Sequence, residues 1–307
     1  MSDKRFRVGL VLEPTGIHGP YNRGAYLGVE RAVRELEVRG RVLTPAPREG
    51  YAPSLSLLAR QKYDLVIGTF YLATAIDAVA VRFPETRFAI IDAVHSGLAH
   101  RPENVQGLVF SEEQAGYLAG HLAARALTLA PGDDVISSVG GERVPAVERF
   151  IVGYQAGARA ANPRVTILNG YTDDFLDPLK ARSVALSQIA KGSRVVFQVA
   201  STSGLGALEA AGEHGIWGIG VDVDQSDLGR HILTSAVKRL ELAVFDTIEA
   251  LVHGTLKTGR TSCFSLRNGG VGLGAISPEV PSSLVDEIES VRAEIVAGTI
   301  EIPNSVT

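Results

Sequence analysis

Between residues 7 and 296, short runs rich in Val, Ile, Leu and Phe alternate with longer stretches whose apolar residues recur every three or four positions. Apolar runs without polar alternation suit strands covered on both faces, and the helical stretches between them supply the crossovers that parallel strands require. The chain is therefore expected to be α/β, with helices layered on parallel sheets. The pattern opens with a strand over 7–12, a Gly/Pro/Thr loop through Pro20, and a helix over 22–37 with Ala25, Leu27, Val29, Ala32, Val33 and Leu36 at its apolar positions. A strand starting at 41–43, a strand over 64–70 with a helix over 73–81, and a strand over 87–93 complete a doubly wound half.

A further strand at 105–110 leads into a long amphipathic helix over 112–127, which Ala130-Pro131-Gly132-Asp133 stops before the alternation restarts. Strands at 135–139, 165–169, 194–200 and 216–221, with helices at 146–160, 177–191 and 204–213, form a second half. Its topology matches the first, but no direct sequence repeat accompanies it. From Ile232 the tail adds a strand, a helix over 240–252, a Gly-rich strand pair around 268–275 and a final helix near 281–296. A tail of that length must return to one or both halves.

A length of 307 residues fits about two domains, and 45% hydrophobic against 21% charged residues provides a sizeable core. The formal net charge is -4 and no long basic run occurs, so a nucleic-acid footprint is absent. Cys263 is the only cysteine, which excludes an intramolecular disulfide and any thiolate-rich metal site. The longest strongly apolar stretch, 65–76, is too short to span a bilayer. Residues 1–7 run into the first strand without an apolar signal core, so the expectation is a cytoplasmic protein, or an extracytoplasmic one whose signal lies outside this sequence.

In an open α/β sheet the ligand sits beyond the carboxyl ends of the strands. The first such loop places Glu13, His18, Tyr21 and Asn22 within ten residues, a mixture that suits a polar ring-shaped ligand. Tyr21 can stack on a planar base while Asn22 caps the helix; the alternative is a packed Tyr in an ordinary helix-entry loop. Asp92 ends an apolar strand at the sheet rim, as a ligand acceptor or a turn cap. The loop from Ser201 through Gly204 to Gly206 opens a helix whose amino-terminal N–H groups can hold an oxygen-rich group. It departs from a dinucleotide fingerprint, since Glu209 stands at the third glycine position.

Asp222 and Asp224, two apart, are expected on one side, for ligand hydroxyls rather than metal, because the further ligands of a calcium loop are missing. Lys238 ends another strand and is expected to pair with Asp222, to meet the ligand, or to form a surface salt bridge. No nucleophile elbow, Walker-type phosphate loop or acid/base dyad is present, so the polar positions read as binding rather than catalytic, with no cofactor and no metal.

These loops, in order, resemble a known family. The stretches are Val8-Gly-Leu-Val, Gly16-Ile with Tyr21-Asn22 and Ala25-Tyr, Tyr63 through Gly68, Phe88-Ala-Ile-Ile-Asp92, and Asn104-Val through Phe110 with Ala115 to Gly120. In the second half they are Arg149 to Gly157, Val196 to Ala200, Gly204-Leu-Gly206, Gly220 to Gln225 and Leu233-Thr-Ser with Lys238. The sequence is similar, over nearly its whole length, to the basic membrane protein, or PnrA-like, substrate-binding proteins of ABC transporters.

The resemblance implies a type I periplasmic-binding-protein fold, two doubly wound α/β lobes joined by a multi-strand hinge and closing on a purine nucleoside such as guanosine or adenosine. The lobes are expected at 1–110 plus 236–265 and at 111–235 plus 266–307, with crossings near Phe110, Thr234 and 263–268. By position, Tyr21 replaces a usual Phe as one stacking ring, Asp222 and Lys238 take the ribose roles, and Asn22 and Asp92 read the base. The second ring is expected to be Phe197 ahead of Phe175. A monomer serving an ABC permease is implied, as a membrane-associated lipoprotein. A sensor of the same fold inside the cell and a nucleoside-processing enzyme are the competing readings. The first loop departs from the family, reading His18-Gly-Pro where an acidic pair and Lys-Ser are usual, and Ser201-Thr202 replaces a usual Gly-Gly.

Overall fold

The computed structural model describes residues 5–14, 16–46 and 50–304. Residues 1–4, on which the reading of the leader rests, and Thr15 of the first loop lie outside them. In chain order the elements are β1 (Arg7–Val11), α1 (Pro20–Glu35), β2 (Arg39–Leu43), α2 (Ala52–Arg60), β3 (Leu65–Gly68), α3 (Ala73–Ala80), β4 (Arg87–Ile91) and β5 (Val105–Phe110). Then come α4 (Glu112–Ala126), β6 (Val135–Gly140), α5 (Pro145–Ala161), β7 (Thr166–Tyr171), α6 (Pro178–Ile189), β8 (Val195–Val199), α7 (Leu205–Glu213), β9 (Trp217–Asp222) and β10 (Ile232–Lys238). The tail supplies α8 (Leu240–Val252), β11 (Arg260–Phe264), β12 (Val271–Leu273) and α9 (Ser282–Ala297).

The chain divides into two compact units, Met1–Phe110 with Arg239–Phe264, and Ser111–Lys238 with Ser265–Thr307. It passes from one to the other after Phe110, Lys238 and Phe264. The second passage falls four residues beyond Thr234 because β10 continues to Lys238.

The first unit holds a six-stranded sheet in the order β11-β5-β4-β3-β1-β2, parallel throughout. Strands β3 and β4 are apolar and buried along nearly their whole length, as a sheet covered on both faces demands. One core cluster, including Val11, Leu55, Leu58, Val66, Ile76 and Phe88, lies under α2 and α3. Helix α2 has no counterpart in the expected elements; its start carries Pro53, tolerated in a first turn where no intrahelical N–H is required. Helix α1 packs on α8 so closely that a Cβ on Gly28 would lie 2.7 Å from the Glu241 carbonyl oxygen and from Val244 Cβ.

The second unit holds the order β12-β10-β9-β8-β6-β7, in which only the β12 edge runs antiparallel. The expected Gly-rich strand pair at 268–275 is instead the single strand β12, and β11, the strand before it, joins β5 in the other sheet. Helices α4 and α5 meet through Gly116 and Gly120 on one and Gly153 and Gly157 on the other. A Cβ on Gly120 would stand 2.7 Å from the Tyr154 carbonyl carbon, and one on Gly157 2.7 Å from that of Tyr117. Apart from the edge strand, the order of strand addition in each sheet reverses between its first and third strands in chain order, β1 and β3 or β6 and β8. That reversal is the topological position at which open α/β sheets bind ligands.

Candidate functional site

In the first unit the carboxyl ends of β1, β3 and β4 and the start of α1 bring together Glu13, Thr69, Asp92, Tyr21 and Asn22. The Tyr21 hydroxyl donates to Asp92 Oδ2 at 2.9 Å, joining residues 71 positions apart in sequence. Thr69 Oγ1 donates to Glu13 Oε1, and the Asn22 side chain also bonds Glu13. Burial pushes the Glu13 carboxyl above its ordinary value, the Thr69 and Asn22 bonds oppose that shift, and the Asp92 charge adds to it. Burial also raises the Tyr51 phenol, with Glu13 as the second cause.

Asn22 is buried but does not cap α1. The helix begins at Pro20, with Gly19 as its N-cap and no side-chain cap bond, so Asn22 is already its third residue. Proline at the first position, with its fixed φ, starts the helix two residues earlier than periodicity suggested. His18 ends a short 3₁₀ turn and is exposed. The half-buried Phe70 follows Thr69 and meets the Tyr71 ring edge-on at 5.6 Å.

Asp92 follows β4 with φ 65°, and its N–H donates to Leu108 O at 2.7 Å. Asp222 ends β9 with φ 66°. β4 and β9 occupy the same place in their sheets, third from the β11 and β12 edges. Both carboxylates therefore leave equivalent strands in the left-handed region, which costs a non-glycine residue about 1 kcal/mol or more and which Asp tolerates better than most. Ser201, just past β8, is a third such residue, with φ 51°.

In the second unit, Lys238 Nζ donates to Glu112 Oε1 at 2.8 Å and Arg149 Nε to Glu112 Oε2 at 2.6 Å. The Glu112 and Lys238 side chains are 0% and 1% exposed, so the lysine bonds a buried carboxylate from the first turn of α4 rather than standing as a surface charge. Beside them burial raises the Glu113 carboxyl; among the further causes the Glu112 charge adds to the shift and Arg149 opposes it. Lys238 ends β10 one position beyond Val237, the register partner of Asp222.

A buried amide network holds the loop after β9. Gln198 Nε2 donates to Gln225 Oε1 at 2.8 Å, the Val221 N–H donates to the same oxygen at 3.0 Å, and the Gln225 N–H donates to Ser235 Oγ at 3.0 Å. Asp224 is occupied in holding backbone, accepting the N–H groups of Ser226 and Ala275 at 3.1 Å each. It is a loop cap, which separates its role from that of Asp222.

Two expectations are corrected here. Phe197 is 0% exposed in the middle of β8, with its ring packed against Phe150 and Tyr154 at 6.3 and 4.9 Å, which makes it a core residue. Phe175, half-buried in the loop before α6, lies over Gly141 at the carboxyl end of β6, where a Cβ would meet its Cδ1 at 2.5 Å. The loop at Ser201 and Gly204 is also less open than its sequence implied. The N–H groups of Ser203, Gly204, Leu205 and Gly206 all bond backbone carbonyls, of Phe175, Ala200, Thr202 and Ser203 among others. A Cβ on Gly204 would collide with Gln198, so that glycine serves packing, and Ser201 remains the polar residue at the rim.

Thr69, Glu112, Arg149 and Gln198 were not singled out in the sequence. Glu112 reads there as an ordinary first-turn acid favoured by the helix dipole, and nothing in its spacing marks a partner 126 positions away.

Residues 7–306 match the sequence profile of the family described as ABC transporter substrate-binding protein PnrA-like. Basic membrane protein A2 of Borrelia garinii is 31% identical over 304 residues, covering 97% of this chain and 88% of that protein. An uncharacterized lipoprotein of Pyrococcus furiosus is 32% identical over 265 residues, covering 82% of this chain and 65% of its own. The crystal structure of an ABC transporter system solute-binding protein from Aeropyrum pernix K1 superposes with a TM-score of 0.85 at 26% identity, over 98% of this chain and 94% of that one. Among the described residues no helix is long and apolar enough to cross a membrane.

Proposed function

Because the chain belongs to the PnrA-like family of ABC transporter substrate-binding proteins, with the type I periplasmic-binding-protein fold, we propose that it captures a purine nucleoside of the guanosine or adenosine type for delivery to an ABC permease. What chiefly supports this is the pair of aspartates, Asp92 and Asp222, held in left-handed backbone at equivalent strand ends. Exposed residues such as Glu37 and Lys62 share that backbone region, so it is the equivalent strand-end placement of the two carboxylates that supports a binding role. In this reading the first unit offers the Tyr21 ring for stacking and Asp92, Asn22 and Glu13 for the polar edge of the base, and the second unit offers the Phe175 ring. Asp222 and Lys238 hold the ribose hydroxyls, an acceptor and a donor suited to vicinal hydroxyl groups. His18 and Ser201 stand at the rims and contact the ligand's periphery.

The protein acts by binding alone, without cofactor or metal, as a monomer outside the cytoplasm; a relative named as a lipoprotein supports membrane association. Native mass spectrometry of freshly purified protein should find a retained mass of nucleoside size, and calorimetry should give saturable binding of guanosine or adenosine. Flat titrations with both would reject the nucleoside. Steady release of free base from either would reject a binding-only role.

A further inference from the structure

The buried carboxylate of Glu112 has no part in the ligand contacts proposed above, yet it is the most enclosed charge of the second unit's site. It stands on α4, two residues after the chain leaves the first unit, and its partner Lys238 is the last residue before the chain returns there. Both carboxylate oxygens are used, Oε1 by Lys238 and Oε2 by Arg149. Shared between two cations, the Glu112 carboxylate fixes the position of the Lys238 ammonium. The neighbouring charges are Arg149 and Glu113, with Asp222 on the adjoining strand.

We propose that Glu112 is a positioning residue for ligand binding: shared between Lys238 and Arg149, it holds the Lys238 ammonium fixed at the carboxyl edge of β10. It touches no ligand itself and acts through the lysine. The inference rests on the nucleoside reading, and its test separates the two.

The experiment is a double-mutant cycle on guanosine affinity with the full chain, E112Q, K238M and E112Q/K238M. E112Q should weaken binding about tenfold or more in the parent but less than about twofold in the K238M background, since an effect carried by the lysine vanishes with it. The comparison of E112Q/K238M with K238M is decisive even where E112Q alone folds poorly, because the double variant leaves no uncompensated lysine. Equal losses in the two backgrounds, or an E112Q protein that binds as the parent does, would overturn the proposal. A parent that binds no nucleoside rejects the nucleoside reading instead. The same four proteins then test the pair by urea unfolding, where non-additive midpoints support it and additive ones refute it.

Discussion

Replacing Gly120 by Ala probes the α4–α5 contact that carries both Glu112 and Arg149. A Cβ built there lies 2.7 Å from the carbonyl carbon and 2.9 Å from the Cα of Tyr154, and closer still to the carbonyl oxygen. Carbon atoms pack best at about 3.5–4.0 Å, so the overlap is roughly 0.8 Å against backbone, which cannot swing aside as a side chain does. The helices must separate. Such overpacking costs about 3 kcal/mol, while exchanging Gly for Ala within a helix returns about 1 kcal/mol of propensity, leaving a net loss of about 2 kcal/mol. With a urea slope of about 2 kcal/mol/M for a unit of this size, the midpoint should fall by about 1 M. Trp217, the sole tryptophan, lies on β9 in the same unit and reports the transition by fluorescence. Gly157→Ala, against the Tyr117 backbone, should cost less in the Gly120→Ala background than alone, because the helices are already apart. A Gly120→Ala protein as stable as the parent, or more stable, would refute the idea that these glycines are there for close approach.

Asp222→Asn, which keeps a residue tolerant of the left-handed backbone while removing its charge, should lower nucleoside affinity by about 2 kcal/mol, roughly thirtyfold; unchanged calorimetric isotherms would remove Asp222 from the site. Phe197→Ala should destabilise the second unit by about 3–5 kcal/mol, as for a core ring. Phe175→Ala should leave the unfolding midpoint nearly unchanged and weaken nucleoside binding, and the reverse pattern in the two variants would exchange their roles. Glu13 is raised in the folded protein, so its ionisation disfavours folding once the pH exceeds the unfolded value of 4.5. Stability from Glu13 is thus fully present below that pH and lost as pH rises through the folded value. Glu13→Gln should therefore raise the unfolding temperature at pH 7, with the gain disappearing below pH 4.5; a constant difference across that range would contradict the assignment.

The α/β alternation was legible because a strand buried on both faces and a helix buried on one leave different hydrophobic periods. The strand-end residues Asp92 and Asp222 were legible too, since a charge directly after an apolar run has nowhere to lie but the rim. What misled was parity and environment. Phe197 sits in as apolar a run as a rim aromatic would follow, and only the rings of Phe150 and Tyr154 packed on it show that it faces inward. The glycines of the Gly204-Leu-Gly206 loop resembled an anion cradle, whereas their missing side chains make room for Gln198 and for the Pro178 carbonyl.

Taken alone, then, the chain specified its layers, its repeat of strand and helix, and the loops on which polar residues gather, all of which follow from local propensity and burial period. Which charges meet was decided only in three dimensions. Glu112 and Lys238 are 126 positions apart, and Tyr21 and Asp92 are 71 apart. Pairing over such distances depends on strand order and register, which no local pattern encodes, and in a desolvated interior that pairing governs whether a buried charge is held or expelled.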